Sequence, residues 1–299
     1  MLMNLFYTVG IPILLPAVLI FILWRANFAS KLEWYLHLIS TTILVSWLFL
    51  AGNWSWISYY IRFLWIPLLI IAIVISRKKM RDLPFRVKFS TNQHISVGMY
   101  VFLIIIFGLY NIFVISSYTV DEETIELEFP LKDGTYYVGQ GGNHAQMNHH
   151  HLHAPQKFAL DIVKLNQYGA RAVGFNPENL NKYEIFGAKL YSPCNGDVVE
   201  TRNNMPDLTP PDSNPDLPEG NYVALACDGI DAIVYLAHMQ ENSVAVEEDT
   251  SVQAGALIGI VGNSGNTTEP HLHIHAEKDG EGVPILFNGR FLVRNSLVR

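Results

Sequence analysis

Four apolar stretches, Leu5 to Trp24, Trp34 to Leu50, Trp56 to Ile75 and Ile95 to Ile115, fill most of the first 118 residues. A bilayer is crossed by ~20 mostly apolar residues in helical form, because lipid offers no partner to a bare backbone amide or carbonyl. Residues 1–118 are therefore expected to form an α-helical membrane domain with four transmembrane helices. Pro12 and Pro16 in the first stretch are tolerable where neighbouring helices satisfy the freed carbonyls. That stretch does not read as a cleavable signal peptide, since no basic residue precedes it and no clear small-residue cleavage site follows. Arg62, near the outer end of the third stretch, is placed to snorkel to the interface, the alternative being a functional intramembrane charge. No acidic pair or polar row stands out within the stretches, which argues against a transporter.

Charge divides the chain in the same place. Residues 1–118 carry nine Lys/Arg and two Asp/Glu, whereas residues 119–299 carry eleven and twenty-five, a split of +7 against −14. Arg25 and Lys31 lie between the first two stretches, and Arg77, Lys78, Lys79, Arg81, Arg86 and Lys88 between the last two. The positive-inside rule puts both loops in the cytoplasm and everything after Ser116 outside. Trp24, Trp34, Trp54, Trp56 and Tyr118 suit an aromatic belt. The expected location is the cytoplasmic (inner) membrane, multi-pass, with the acidic half extracytoplasmic and membrane lipid as one partner. No nucleic-acid partner is expected. Cys194 and Cys227 both fall in the outer half, where they could pair or remain buried thiols.

The second half alternates short apolar or period-two runs with turn residues: Ile125 to Phe129, Tyr136 to Val138, Phe158 to Val163, Lys189 to Tyr191, Gly196 to Glu200, Tyr222 to Ala226, Ala232 to Ala237, Leu257 to Val261 and His271 to Ala276. No long amphipathic helical period interrupts them. The pattern predicts a mainly-β domain, an antiparallel sandwich or open barrel, over 136–299, with 119–135 as linker and first strand. Asn203 to Gly220 holds five prolines and reads as a surface loop, either a wall of a binding groove or a tolerated insertion.

Within this half, Gly262-Asn263-Ser264-Gly265-Asn266-Thr267 leads to a segment with His271, His273 and His275 at every second position. Strand side chains alternate between faces with a rise of ~3.3 Å per residue, so the three share one face at roughly 6.6 Å intervals. One ion cannot reach all three, but neighbours can share a site, one as ligand and the next as an outer or catalytic group. Periodicity leaves open which pair is used. Asp161 interrupts the apolar run Phe158-Ala159-Leu160-Asp161-Ile162-Val163, and a carboxylate in an apolar strand costs several kcal/mol unless paired or metal-bound. A solvated strand end is the plainer alternative.

The ordered set Ala159-Leu160-Asp161, Tyr235-Leu236-Ala237-His238, the glycine-rich turn with Gly255 and Gly259 before it, and His271-Leu272-His273 resembles the M23 peptidases, which include lysostaphin-type and LytM-type peptidoglycan endopeptidases. The resemblance spans about Val138 to Ala276 and implies the lysostaphin-like peptidase fold. It implies one zinc per chain, held by an upstream histidine, Asp161 and His273, with His238 and His271 flanking the catalytic water. His275 receives no role and reads as structural. Most members carry the first ligand four residues before the aspartate, where Lys157 stands here, and an ammonium cannot coordinate zinc without losing its proton. The run Asn148-His149-His150-His151-Leu152-His153 lies just upstream, as in a subset with a longer spacing. In that register His150 is the ligand, with His149, His151 and His153 as alternatives. A solvated histidine-rich loop is the plain reading of the tract.

The implied activity is that of a zinc metalloendopeptidase cleaving peptidoglycan peptide stems or cross-bridges on the outer side of the membrane. An extracytoplasmic peptide substrate is an alternative, and a membrane partner could control the peptidase. The competing reading is a catalytically degenerate module in cell-wall remodelling.

Overall fold

The computed structural model describes residues 6–299. Leu5, where the first apolar stretch begins, lies outside the described residues. The chain divides after Ile115 into two compact units.

In the first unit a π-helical turn, Phe6–Leu14, runs into α1 (Leu15–Arg25), followed by α2 (Lys31–Ala51), α3 (Trp65–Met80) and α4 (Thr91–Ser116). With the short helix Tyr59–Leu64 leading into α3, these give four helical runs long and apolar enough to cross a membrane. The core contains Leu19 and Leu23 of α1, Trp34, Leu44 and Leu48 of α2, and Trp65 and Leu69 of α3. Trp34 Nε1 donates to Ser76 Oγ at 3.0 Å, tying α2 to α3. Asn111 Nδ2 of α4 donates to Ile43 O of α2 at 3.0 Å.

Two details depart from the sequence reading. Arg62 does not reach for the interface: it is 5% exposed, with its guanidinium 4.1 Å from the Phe49 ring centroid and 5.3 Å from that of Tyr59. Aromatic faces attract a guanidinium, so this cluster is an alternative to water for its charge. A short polar step also exists on α2, where His37, Ser40 and Thr41 are fully buried. His37 Nε2 lies 2.9 Å from Leu19 O. The i, i+3, i+4 spacing brings the three to one helix face, a pattern too short to register among so many apolar residues.

The second unit has fourteen strands: β1 (Ile125–Leu127), β2 (Thr135–Gln140), β3 (Leu160–Leu165), β4 (Lys189–Tyr191), β5 (Gly196–Arg202), β6 (Asn221–Cys227), β7 (Ile233–Met239), β8 (Ser251–Val252), β9 (Leu257–Ile260), β10 (Leu272–Lys278), β11 (Glu281–Val283), β12 (Ile285–Phe287), β13 (Arg290–Phe291) and β14 (Leu297–Val298). The main sheet is antiparallel in the order β14-β2-β3-β10-β7-β6-β5-β8, with β11 added to β10. A β4-β9 ribbon and a small β1-β12-β13 sheet stand apart, and β1 pairs β12 in parallel.

Alternation sorts the faces of the main sheet. Leu160, Ile162, Val223, Leu225, Val234, Leu236, Leu272 and Ile274 enter one core with Leu190 and Ile258 of the ribbon and Leu127 and Phe287 of the small sheet. The opposite face carries Asp161, Tyr235, Ala237, His271, His273 and His275. This is the mainly-β, largely antiparallel domain that the sequence predicts.

Cys194 and Cys227 form a disulfide across a separation of 33 residues. Closing such a loop in the unfolded chain is worth about 3–4 kcal/mol on chain-entropy grounds. The proline-rich segment 203–220 is irregular and folds against the glycine turn. Asn263 Nδ2 donates to Leu208 O at 2.7 Å, and Asn214 N donates to Gly265 O at 2.8 Å. Gly265 has φ +88°, and a Cβ there would run into the backbone of Pro218 and Gly220, so the turn needs glycine for both conformation and space.

Candidate metal centre

The open face of the sheet gathers the polar residues by register. His273 of β10 lies opposite Asp161 of β3 on one side and Ala237 of β7 on the other. Neighbouring strands stand ~4.8 Å apart, so such partners can share a ligand. Each flank carries an irregularity. The β2–β3 ladder shifts between Val138 and Gln140, beside Asp161, and the β6–β7 ladder shifts between Asn221 and Val223, opposite the end of β7. At that second shift His238 adopts φ +60°. A non-glycine residue there costs of order 1–3 kcal/mol, a strain often found at functional sites. The bulge turns His238 toward His271, with ring centroids 4.8 Å apart.

The fourth histidine arrives from outside the sheet. Asn148 caps the 3-10 turn His149–Leu152 by accepting from His150 N at 3.1 Å. Its amide nitrogen meets the carbonyls of Gly142, Lys157 and Ala159 at 3.3, 3.2 and 3.0 Å. Asn148 is fully buried. Pinned in this way, the turn directs His150 Nε2 to within 3.0 Å of Asp161 Oδ1.

Asp161 Oδ1 is thus the common neighbour of three imidazole nitrogens: His150 Nε2 at 3.0 Å, His273 Nδ1 at 3.0 Å and His271 Nε2 at 3.4 Å. Donors around a tetrahedral zinc, each at 2.0–2.1 Å from the ion, stand roughly 3.3 Å apart. The nitrogen and oxygen donors, and the distances of the imidazole nitrogens from Asp161 Oδ1, therefore suit zinc. His238, His271 and His273 also converge closely enough to hold an ion, as do His149, His150 and Asp161.

The sequence alternatives for the upstream histidine are placed differently, with His149 beside His150 and His151 turned away. His149 is exposed and packs on the His150 ring at 3.9 Å, His151 turns to stack on His144 at 6.1 Å, and His153 is exposed. Lys157 points to Glu122, with Nζ 2.6 Å from Oε1.

Burial and neighbouring charge set the protonation of the metal-free site. Burial pushes the His273 and His275 imidazoles down to about 3. It also lowers His238 well below the usual value, with the neighbouring His271 and His273 adding to the effect. Burial opposes the ionised Asp161 carboxyl, yet His150 and His271 outweigh it and hold that group well below the carboxylate range. His271 is opposed by burial too, but Asp161 and the Glu269 carbonyl raise it.

Backbone carbonyls fix two tautomers, because a carbonyl can only accept. His238 Nδ1 donates to Ser264 O at 2.9 Å, and His271 Nδ1 donates to Glu269 O at 2.8 Å. Each neutral ring then carries its lone pair on Nε2. Ser264 is held by donating to Met239 O at 2.7 Å, and Glu269 by a side-chain ion pair with the buried Arg171.

Residues 183–285 match the family model of peptidase family M23. The M23 match takes in His238, His271 and His273 but begins downstream of His150 and Asp161, which join them through the β3–β10 pairing and the Asn148-pinned turn. Among solved structures, the chain is similar to a zinc-containing peptidase from Vibrio cholerae, at 21% identity, covering 42% of this chain and 48% of that one, with a TM-score of 0.26. It is similar to the antimicrobial peptidase lysostaphin from Staphylococcus simulans, at 21% identity, covering 31% and 36%, with a TM-score of 0.23. It is also similar to Csd3 from Helicobacter pylori, at 18% identity, covering 54% and 32%, with a TM-score of 0.30. The chain spans less than half the length of each of these. No curated protein matches the chain.

The sequence reading gave several supporting residues no part in the site. His275 lies buried beneath the site, its Nδ1 3.0 Å from His273 Nε2 and its ring stacked on Tyr235 at 4.8 Å. The signal was present in the period-two row, which places His275 and His273 on one face. Asn148 could have been suspected as a cap before the histidine turn. Arg171 and Ser264 carry no local signal.

Proposed function

We propose that this protein is a zinc metalloendopeptidase of the M23 type that hydrolyses peptide bonds in peptidoglycan stems or cross-bridges on the outer side of the cytoplasmic membrane. The observation that carries the reading is the convergence of His150, His273 and His271 on one oxygen of Asp161. His150, Asp161 and His273 would hold the metal. Bound there, zinc supplies a Lewis acid for the scissile carbonyl and lowers the pKa of its water toward about 7.

His271 and His238 supply the proton chemistry. With Nδ1 anchored to a backbone carbonyl, each presents Nε2 as an acceptor, so one can take the proton of the attacking water. The protonated imidazole then donates to the leaving amine, and the other stabilises charge developing on the carbonyl oxygen. Asp161 beside His271 favours its protonated form, as a proton carrier requires.

The loops at Arg25 to Lys31 and Arg77 to Lys88 set the membrane orientation by the positive-inside rule, which places the acidic unit on the wall side. The test is digestion of purified peptidoglycan by the full chain in detergent, with products identified by mass spectrometry. New amino termini at stem or cross-bridge bonds, abolished by a chelator and restored by zinc, are expected. An intact wall alongside cleavage of an extracytoplasmic protein would redirect the substrate. Cleavage of neither, with zinc bound, would favour a noncatalytic binding module.

A further inference from the structure

We infer that the cytoplasmic end of the helical unit carries a binding site for the headgroup of an anionic phospholipid, an inference that rests on the reading that these helices span the membrane. The site is a cleft of about 570 Å³ between the start of α2 and the end of α3, lined by Lys31, Tyr35, Val74, Arg77, Lys78, Met80 and Arg81. Four of its seven side chains are cationic. None of the four has a carboxylate within ion-pair distance among the described residues.

Neither acid of the helical unit is part of the cleft: Asp82, next to Arg81, does not line it, and Glu33 is already engaged. Glu33 turns its carboxylate back to accept from Ala29 N at 2.9 Å, and it does not line the cleft.

The cleft is built into the packing. Lys31 N donates to Pro84 O and Leu32 N to Phe85 O, each at 3.0 Å, so the loop after α3 is stitched to the start of α2. One turn deeper, Trp34 Nε1 holds Ser76 Oγ at 3.0 Å, and Lys79 Nζ reaches the Trp24 carbonyl at 3.0 Å. These bonds fix the cations at the boundary between an apolar helix surface and a polar loop.

The two walls differ in chemistry, and that difference selects the ligand. The upper rim offers guanidinium and ammonium groups, which bind phosphate oxygens, Arg in bidentate fashion. Below it, Val74 is 55% exposed and Tyr35 40% exposed, an apolar surface facing outward from the bundle. A free phosphate would use only the rim. A phosphodiester carrying acyl chains uses both, with its phosphate among Arg77, Arg81 and Lys31 and its chains along Val74. Basic pockets at the cytoplasmic ends of membrane helices suit such headgroups electrostatically.

The test uses the full chain in mild detergent, with binding of phosphatidylglycerol, cardiolipin and phosphatidylcholine followed by native mass spectrometry. The wild type should prefer the two anionic lipids over phosphatidylcholine by about tenfold or more, and millimolar inorganic phosphate should not displace them. The double variant Arg77→Gln, Arg81→Gln should lose that preference. Arg86→Gln, a basic change in the same loop but outside the cleft, should keep it.

Equal loss with Arg86→Gln would replace a site with diffuse charge, and full displacement by inorganic phosphate would replace it with a free-anion site. Either result, or a wild type without preference, overturns the proposal. Retention of the chain in membranes after an alkaline wash reports the spanning reading separately. A chain released by the wash would sink that reading, whereas a retained chain without lipid preference would sink only the site. Far-ultraviolet circular dichroism of the double variant distinguishes lost binding from lost folding.

Discussion

The histidines of β10 and those of the turn His149–Leu152 approach the same carboxylate by different means. His273 has paired neighbours on both sides, His275 is paired to Tyr235 of β7, and His271 directly precedes the strand, so their direction follows from the ladder or its immediate edge. His150 lies in a short 3-10 turn, and its direction depends on one buried amide side chain, that of Asn148. A ladder spreads positional control over many bonds. A pinned turn concentrates it in one residue, and the two halves should therefore respond differently to mutation.

The largest effects should come where the halves meet or where protons move. Asp161→Ala should empty the metal site after dialysis, measured by elemental analysis, and abolish peptidoglycan cleavage. His271→Ala and His238→Ala should each retain zinc while losing about 10²–10⁴ in kcat, the range for a general acid–base group. Cleavage at the wild-type rate by either variant would contradict the assignment.

Next comes Asn148→Ala, which removes the pin without touching a ligand. Zinc affinity should drop about 10–100-fold, the usual consequence of losing a group that orients a ligand. Unchanged affinity would show that the turn holds its own shape, and the contrast between the two halves would disappear.

Within the strand half, His275→Phe keeps an aromatic ring against Tyr235 but removes the acceptor for His273 Nε2–H. A weakening of zinc binding near the lower end of the same range is expected, with partial recovery in His275→Asn. Equal affinity in all three proteins would make His275 a packing residue only.

Acid should distinguish the strand half in the metal-free protein. His273 and His275 titrate near 6.5 when unfolded and at about 3 in the fold. Between those values the unfolded chain binds more protons, so stability falls as pH drops through that window. Asp161, whose folded carboxyl is held low, adds to the loss in the acid part of the window, while His271, which is raised, has its whole stabilisation in place below about 6.5 and loses it only as pH rises above that value. A thermal midpoint that stays flat between pH 6.5 and pH 4 would contradict the buried neutral imidazoles. The smallest effect belongs to His153→Ala, at an exposed position, with stability within about 0.5 kcal/mol and zinc content unchanged.

The same contrast explains what could be read from the chain. Period two at His271, His273 and His275, and Asp161 within an apolar run, are visible because a strand maps sequence onto direction. The choice among His149, His150, His151 and His153 is not visible, since a 3-10 turn sends successive side chains in three directions and Asn148 decides which meets Asp161. The bulges beside Asp161 and at His238 arise from pairing between distant strands and leave no local mark. Strands β11 to β14 are only two or three residues long, too short for alternation to emerge. In the helical unit, length and apolarity reveal four helices, but the burial of Arg62 against Phe49 and Tyr59 depends on packing that composition does not encode.

The most direct measurement is the zinc content of the purified full chain as wild type, His150→Ala, Asp161→Ala and His271→Ala, after reconstitution and dialysis. About one zinc in the wild type and in His271→Ala, with little in the other two, is the result expected of a three-ligand site. Zinc retained by His150→Ala, or none in the wild type, would contradict the account.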